Sequence, residues 1–328
     1  MVPRSPGVVA LLSLTLLGAV VAWYRQPSSE PSAGGWIRLQ AMPTPRSEMP
    51  AALLGDTIYV PGGLGASGRT LSTLEAYDVD ADEWRVLEPL PLPLHHTAAV
   101  GVGGRVLVAG GYTDLEFRSD NSAAWAFDPT SGSWERIADM PAPRAAHALV
   151  EIAGLVYAVG GAGPRSEELW AYDPSADSWR TDLAAMPTPR EHLTAVAIDG
   201  LLYAIGGRVG RRNLAVVEVY DPATDSWTSA PPVPTARSGH GAAVVAGEIH
   251  VAGGEDLAAD VALDSHEVFD PVAGQWRVAV PLPSPRHGLA SAGAGGRWYL
   301  IGGAEEPGAR TFVSLTDAVA ALHVDPSR

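Results

Sequence analysis

The chain has 328 residues, a formal net charge of −15 and no cysteine, and its 22 basic residues are all arginine. Without cysteine there is no disulfide, no thiol chemistry and no lipid-modified cysteine. The acidic balance sets aside nucleic acid and anionic membrane faces as partners, and the length suits one large domain held by its own core.

Residues 1–24 differ from the rest. Arg4 precedes the apolar run Val8–Ala22, and Val20 and Ala22 are small residues suited to a cleavage site. The segment therefore reads as a secretory signal peptide. It also reads as an N-terminal membrane anchor, since Gly7 to Tyr24 is just long enough to cross a bilayer. Either reading exports the remainder of the chain, as a secreted or periplasmic domain or one tethered to the outer face of the membrane. Residues 25–35, carrying "QPSSEPSAGG", form a Pro/Ser/Gly linker with nothing to pack.

From residue 36 the chain repeats itself. "AMPTPR" stands at 41–46 and again at 185–190, with weaker copies "PLPLHH" (91–96), "PAPRAAH" (141–147), "PTARSGH" (234–240) and "PSPRHG" (283–288). Each leads through an apolar run to a glycine pair: Gly62-Gly63, Gly110-Gly111, Gly160-Gly161, Gly206-Gly207, Gly253-Gly254 and Gly302-Gly303. The pairs recur every 46 to 50 residues, which makes an array of six repeats.

In the third repeat, "HALVEIAG" and "LVYAVGG" are short apolar runs that meet at a glycine, and their length suits buried strands. "ELWAYD" is a third strand, ended by the turn Pro174-Ser175-Ala176-Asp177, and "SWRTDLA" is a fourth. Four strands per repeat of this length predict one blade of a β-propeller. The other repeats keep the register, with Tyr77-Asp78, Phe127-Asp128, Tyr172-Asp173, Tyr220-Asp221 and Phe269-Asp270 closing third strands, and Trp84, Trp134, Trp179, Trp227 and Trp276 opening fourth ones.

Phased glycine pairs with a downstream Tyr-Asp and Trp make the chain similar to the kelch-repeat family over residues 36–328. The resemblance implies an all-β, six-bladed kelch-type propeller. The last repeat stops before a fourth strand, and the missing piece, with Trp36 at its head, lies at the start of the domain. Trp36–Ala41 is therefore expected to pair with the C-terminal strands and close the ring, which removes exposed sheet edges.

The glycine pairs and the tryptophans, Trp36 included, read as structural. The Pro-x-Pro-Arg position precedes the innermost strand, at one mouth of the central channel. It carries Arg46, Arg144, Arg190, Arg237 and Arg286, with Leu94 followed by His95 and His96 in the second repeat. These five arginines and two histidines are the candidate ligand-binding residues, since guanidinium groups ringing a mouth can grip carboxylates. Kelch adaptors use arginines of this kind for acidic peptides, and the resemblance lends that reading support. The competing reading pairs each arginine with neighbouring carbonyls or acids inside the repeat.

The loops after the glycine pairs vary most and add Arg208, Arg211, Arg212, Glu255, Asp256, Glu305 and Glu306. His147, His192, His240 and His287 fall near the arginines at scattered offsets. No metal site and no cofactor are expected from their spacing.

The expected function is a non-catalytic binding or interaction module that meets a protein, peptide or glycan ligand, anionic if the arginines act, at one channel mouth. The resemblance carries an alternative, since kelch propellers include exported sialic-acid-type sugar epimerases and mutarotases that use Arg and Glu at a mouth. Glu255 and Glu305 are the acids at hand for that chemistry. A copper radical oxidase of the galactose oxidase kind is set aside, because its cofactor needs a cysteine.

Overall fold

The computed structural model describes residues 35–118 and 120–324. The expected signal or anchor segment and, apart from Gly35, the linker lie outside the described residues. Among the described residues no helix is long and apolar enough to cross a membrane.

Six four-stranded antiparallel sheets are arranged as the repeats predict. The first blade is Ala52–Leu54, Thr57–Pro61, Leu74–Asp78 and Glu83–Leu87, counted from the channel outward. The innermost strands of the next four blades are Ala98–Val102, Ala148–Ile152, Thr194–Ile198 and Gly241–Val245. The sixth blade holds Ala290–Ala294, Arg297–Ile301 and Val319–His323, and its outermost strand is Trp36–Arg38. Trp36 pairs with Leu322, Ile37 with Ala321 and Arg38 with Ala320, so the N-terminal strand closes the ring. The strand is shorter than the expected Trp36–Ala41, but the contact runs on: the Leu39 and Met42 N–H groups donate to the carbonyls of Val319 and Asp317 at 3.0 and 2.9 Å.

The phased aromatic residues hold neighbouring blades together. Each outer-strand indole donates to a carbonyl just past the previous blade's outer strand: Trp84 to Gln40, Trp134 to Glu88, Trp179 to Ala138, Trp227 to Ala184 and Trp276 to Pro231. A second tie uses an aspartate at positive φ. Tyr77, Tyr172 and Tyr220 donate to Asp82, Asp177 and Asp225 at 2.7 Å. The same carboxylates accept the N–H of Gln40, Ala138 and Ala184 in the previous blade. Where the third strand ends in Phe127 or Phe269, with no hydroxyl to satisfy, the aspartate is replaced by Gly132 or Gly274.

The glycine pairs end the second strands, as expected, and the reason is close approach between blades. Gly62 has φ +65°, and a Cβ there would lie 2.3 Å from the Leu94 carbonyl oxygen of the next blade. No side chain fits such a site without moving backbone.

Candidate functional site

Two residues beyond each Pro-x-Pro-Arg position the chain crosses the channel mouth. The six residues there are Glu48, His96, Ala146, His192, Gly239 and Gly288, and all have φ between 51° and 61°. This left-handed turn aims each N–H at the previous blade. Glu48 donates to Gly288, His96 to Glu48, Ala146 to His96, His192 to Ala146, Gly239 to His192 and Gly288 to Gly239, at 2.7–3.0 Å. The bonds form a closed circle that fixes the rim of the channel.

One residue earlier, Ser47, His95, Ala145, Glu191, Ser238 and His287 bridge to the residues that follow the glycine pairs, namely Leu64, Tyr112, Ala162, Arg208, Glu255 and Ala304. Together these positions concentrate polar side chains at one mouth. Arg208 bonds Glu255 at 2.7 Å and Glu191 at 3.1 Å, and its third nitrogen lies 3.1 Å from His192 Nε2. His287 Nδ1 stands 3.4 Å from Glu48 and 3.7 Å from Glu255. His96 Nε2 lies 3.3 Å from Glu48 Oε2. The imidazoles of His96 and His192 meet edge to face, 4.9 Å between centroids. Beneath them a cavity of about 180 Å³ runs into the channel between small residues such as Ala98, Ala195 and Gly241.

Burial and charge tune these groups in opposite directions. Burial pushes His96 down to about 4, against the pull of Glu48. Burial also holds His192 well below its usual value, with Arg208 adding to the effect. On His287 burial is outweighed by Glu48 and Glu255, which raise it. Burial alone would raise Glu48, but His96 and His287 hold it well below the carboxylate range. At neutral pH the floor therefore combines carboxylates, a guanidinium, a protonation-prone His287 and two neutral imidazoles.

The five arginines of the expected cationic ring do not face the mouth. Their relative exposure is 0–3%, and each turns into its own blade. Arg46, Arg190 and Arg237 form buried ion pairs with Glu75, Glu218 and Glu267 on third strands. Thr44, Thr188 and Thr235 donate to the other oxygen of those same carboxylates. Arg144 has no such acid. It donates to the carbonyls of Ala158, Arg165 and Glu168 and lies over the Trp170 ring, 3.5 Å from its centroid. Arg286 donates to the Ala318 carbonyl at 3.0 Å. The geometry favours the scaffold reading, because these guanidinium groups are turned into the blades and held by buried carbonyls and carboxylates, although the Nε of Arg46, Arg144 and Arg286 is buried without a partner.

His95 and His96 do lie at the mouth, stacked among Tyr112 and Phe117. Glu255 is there too, while Glu305 is exposed on the loop beyond it. His147 and His240 are buried too and line the same cavity, with His240 Nε2 lying 2.8 Å from the Thr194 hydroxyl of the neighbouring blade. Two of the histidines, whose spacing in the sequence predicts no metal site, nevertheless come close together. His96 and His192 stand on the crossing turn rather than on a strand, so strand faces do not separate them, and with Glu48 they bring three donor atoms within 4.8 Å of one another. Sequence reading missed Glu48. Its signal was phase, since it sits two residues past Arg46 as His192 sits two past Arg190.

Above this floor the variable loops interlock. Arg211 bonds the Leu257 carbonyl, linking the loops of blades four and five. Arg310 pairs with Asp260 at 3.0 Å, linking five and six. The short 3-10 turn Gly308–Val313 donates through Gly308 N to Glu255, and its Thr311 hydroxyl lies 3.1 Å from His287 Nε2, which donates to the Glu306 carbonyl and to that hydroxyl.

A family model described as the KLHDC2/KLHL20/DRC7 Kelch-repeats domain matches residues 34–184 and 95–303. Kelch-like protein 34 of Homo sapiens is 31% identical over 156 residues, 46% of this chain and 24% of that protein. Kelch-like protein 15 of Danio rerio is 25% identical over 240 residues, 69% of this chain and 33% of that protein. The matched stretches thus span only a quarter to a third of these relatives. Among solved structures, that of YjhT superposes with a TM-score of 0.75 over 88% of this chain and 98% of that one. At 19% identity that likeness concerns the fold alone.

Proposed function

The chain belongs to the kelch-repeat β-propeller family, and from that premise we propose that it is a non-catalytic binding module, exported through its apolar N-terminal segment, that takes a protein, peptide or glycan ligand at the mouth described above. The observation that carries this reading is where the exposed apolar side chains lie. Among the described residues nine large hydrophobics are exposed, and Leu115, Phe117, Val209, Val261 and Val313 all stand on the loops around that mouth. An apolar rim about a charged, rigid floor is the composition of a recognition surface. The test is to select peptide binders against the full-length chain and measure them against Phe117→Ser and Val313→Ser. Val313 is 86% exposed, so Val313→Ser should melt like the wild type, whereas Phe117→Ser also loses ring contacts with His95, His96 and Tyr112 and should melt somewhat lower; affinity falls about tenfold or more for each lost anchor. Binders indifferent to both substitutions would refute the reading.

A second reading, a sialic-acid-type sugar mutarotase, is favoured by Glu255, a buried carboxylate between Arg208 and His287 at the mouth. Such a set can move a proton on and off a sugar hydroxyl. Saturation-transfer NMR of N-acetylneuraminate anomers decides it. Exchange accelerated by the wild type and abolished by Glu255→Gln supports the enzyme; uncatalysed rates with both remove it.

A further inference from the structure

We propose that Glu48, His96 and His192 form a site for one divalent transition-metal ion at the channel floor, with a coordination position open to the cavity beneath. The inference is independent of which ligand the loops take.

The first argument is a hydrogen-bond chain. His95 Nε2 lies 2.7 Å from the Asp114 carbonyl oxygen, which can only accept, so His95 carries its proton there. Its Nδ1 is then the acceptor for His96 Nδ1, 2.6 Å away, so the His96 proton is on Nδ1. That leaves the lone pair of His96 Nε2 facing a carboxylate oxygen of Glu48 at 3.3 Å. Two acceptors in buried contact need a cation between them. The same chain is the outer support a metal-bound imidazole ordinarily has, fixing its tautomer and orientation.

The second argument is His192. Its Nδ1 is buried with no hydrogen-bond partner. Coordination through Nδ1 would move the ring proton to Nε2, and Arg208 would release that nitrogen while remaining on Glu191 and Glu255, which already hold it.

The third is the ring itself. Glu48, His96 and His192 occupy left-handed turns that glycine adopts most easily, and side chains kept in such conformations cluster at functional sites. The other three ring positions are Ala146, Gly239 and Gly288, which leave room. A Cβ at Gly288 would lie 2.5 Å from Glu48 Oε1. Three donors within 4.8 Å must close to about 3.3 Å for a tetrahedral ion with bonds near 2.05 Å, a matter of side-chain rotation on a fixed backbone. Two imidazoles and one carboxylate select zinc, iron(II), cobalt or nickel over magnesium and calcium. The cavity of about 180 Å³ touches all three residues and has space for a water or a small ligand atom on the metal.

The probe is Co²⁺ titrated into the untagged, chelator-stripped full-length chain, followed by calorimetry and visible absorption, with Mg²⁺ as the contrast. One Co²⁺ per chain is expected, displaced by Zn²⁺ and not by Mg²⁺. Glu48→Gln, His96→Ala and His192→Ala should each weaken binding by about 100-fold or more, beyond what loss of an outer support costs. The exposed His323→Ala should leave it unchanged. X-ray absorption of the cobalt-loaded wild type, which needs no variant to fold, should count two imidazole nitrogens. No saturable uptake at millimolar Co²⁺, uptake unaltered in Glu48→Gln and His96→Ala, or a spectrum without two imidazoles would each overturn the site. In the first case a proton, not a metal, stands between His96 and Glu48.

Discussion

Changing Arg190 to Ala separates scaffold from binding site most sharply. Arg190 Nε donates to the Gly206 carbonyl at 2.7 Å, Nη2 to Ala204 at 3.0 Å, and Nη1 to Thr188 at 2.7 Å and to Glu218. Glu218 is itself 3% exposed. Removing the arginine strands a buried carboxylate and takes donors from two buried carbonyls. Breaking a buried pair from one side costs about 3–5 kcal/mol, a large share of the 5–15 kcal/mol that holds a typical domain. At about 2–4 °C per kcal/mol for a domain of this size, the melting midpoint should fall by roughly 6–20 °C. Replacing both partners, as Arg190→Leu with Glu218→Leu, should recover much of the loss, because no buried charge is left unpaired. Nature has made a similar exchange in the second blade, where Leu94 and Trp125 stand at the Arg and Glu positions. The assay is calorimetric melting of the wild type and these variants, with binding measured on those that remain folded. A single Arg190→Ala variant that melts like the wild type but no longer binds an anionic ligand would refute the scaffold assignment.

The aspartate tie gives a second test. Asp177→Gly keeps the left-handed turn but loses the bonds from Tyr172 and Ala138, and should cost about 1–2 kcal/mol in urea unfolding. Tyr172→Phe added to it should cost little more, since blades two and five carry the Phe and Gly combination natively; additive costs would show that the pair does not act as one unit. Deleting residues 36–42 removes the strand that pairs with Val319–His323 and should strongly lower the melting temperature, whereas an unchanged cooperative transition would refute ring closure. Acid should weaken the fold through His250 and His266, a buried pair 3.1 Å apart. Burial pushes them down to about 3 and about 4, with Arg277 adding to both. Both imidazoles are neutral in the folded and unfolded states above about pH 6.5, so stability is complete there. As pH falls from about 6.5 toward 4 the unfolded chain takes up protons that the folded one refuses, and a few kcal/mol are lost. Urea midpoints across that range check the slope, which should flatten in His250→Gln; an unaltered slope would assign the acid sensitivity elsewhere.

The strands, the ring closure and the blade ties were legible because they repeat. A position that recurs six times in phase reports a constraint that one copy would not, and the glycine pairs and tryptophans landed where that constraint predicts. The arginines were legible in place and misleading in direction. Their recurrence located them near the mouth, but recurrence also marks residues that satisfy the same carbonyls in every blade. The distinguishing signal lay in a second position. Pro-Thr-x-Arg occurs in the three repeats whose third strands carry Glu75, Glu218 or Glu267, while Arg144 lacks the threonine and faces Trp170 instead. An arginine that changes its neighbours together with a buried glutamate belongs to a packing unit.

The ring residues show the converse. Glu48, His96 and His192 share a phase with Ala146, Gly239 and Gly288, so as a repeat position they look unconstrained. The constraint is on backbone alone: every member must turn left-handed to pass its N–H to the neighbouring blade, and any side chain that tolerates that turn can be mounted there. Three of the six blades fill the position with ligating groups, and the other three leave it nearly bare, so the side chains converge without colliding. In a closed array, positions whose backbone repeats while their chemistry does not are where a symmetric scaffold acquires an asymmetric site. Here they lie at the channel floor, enclosed by the variable loops with their apolar rim.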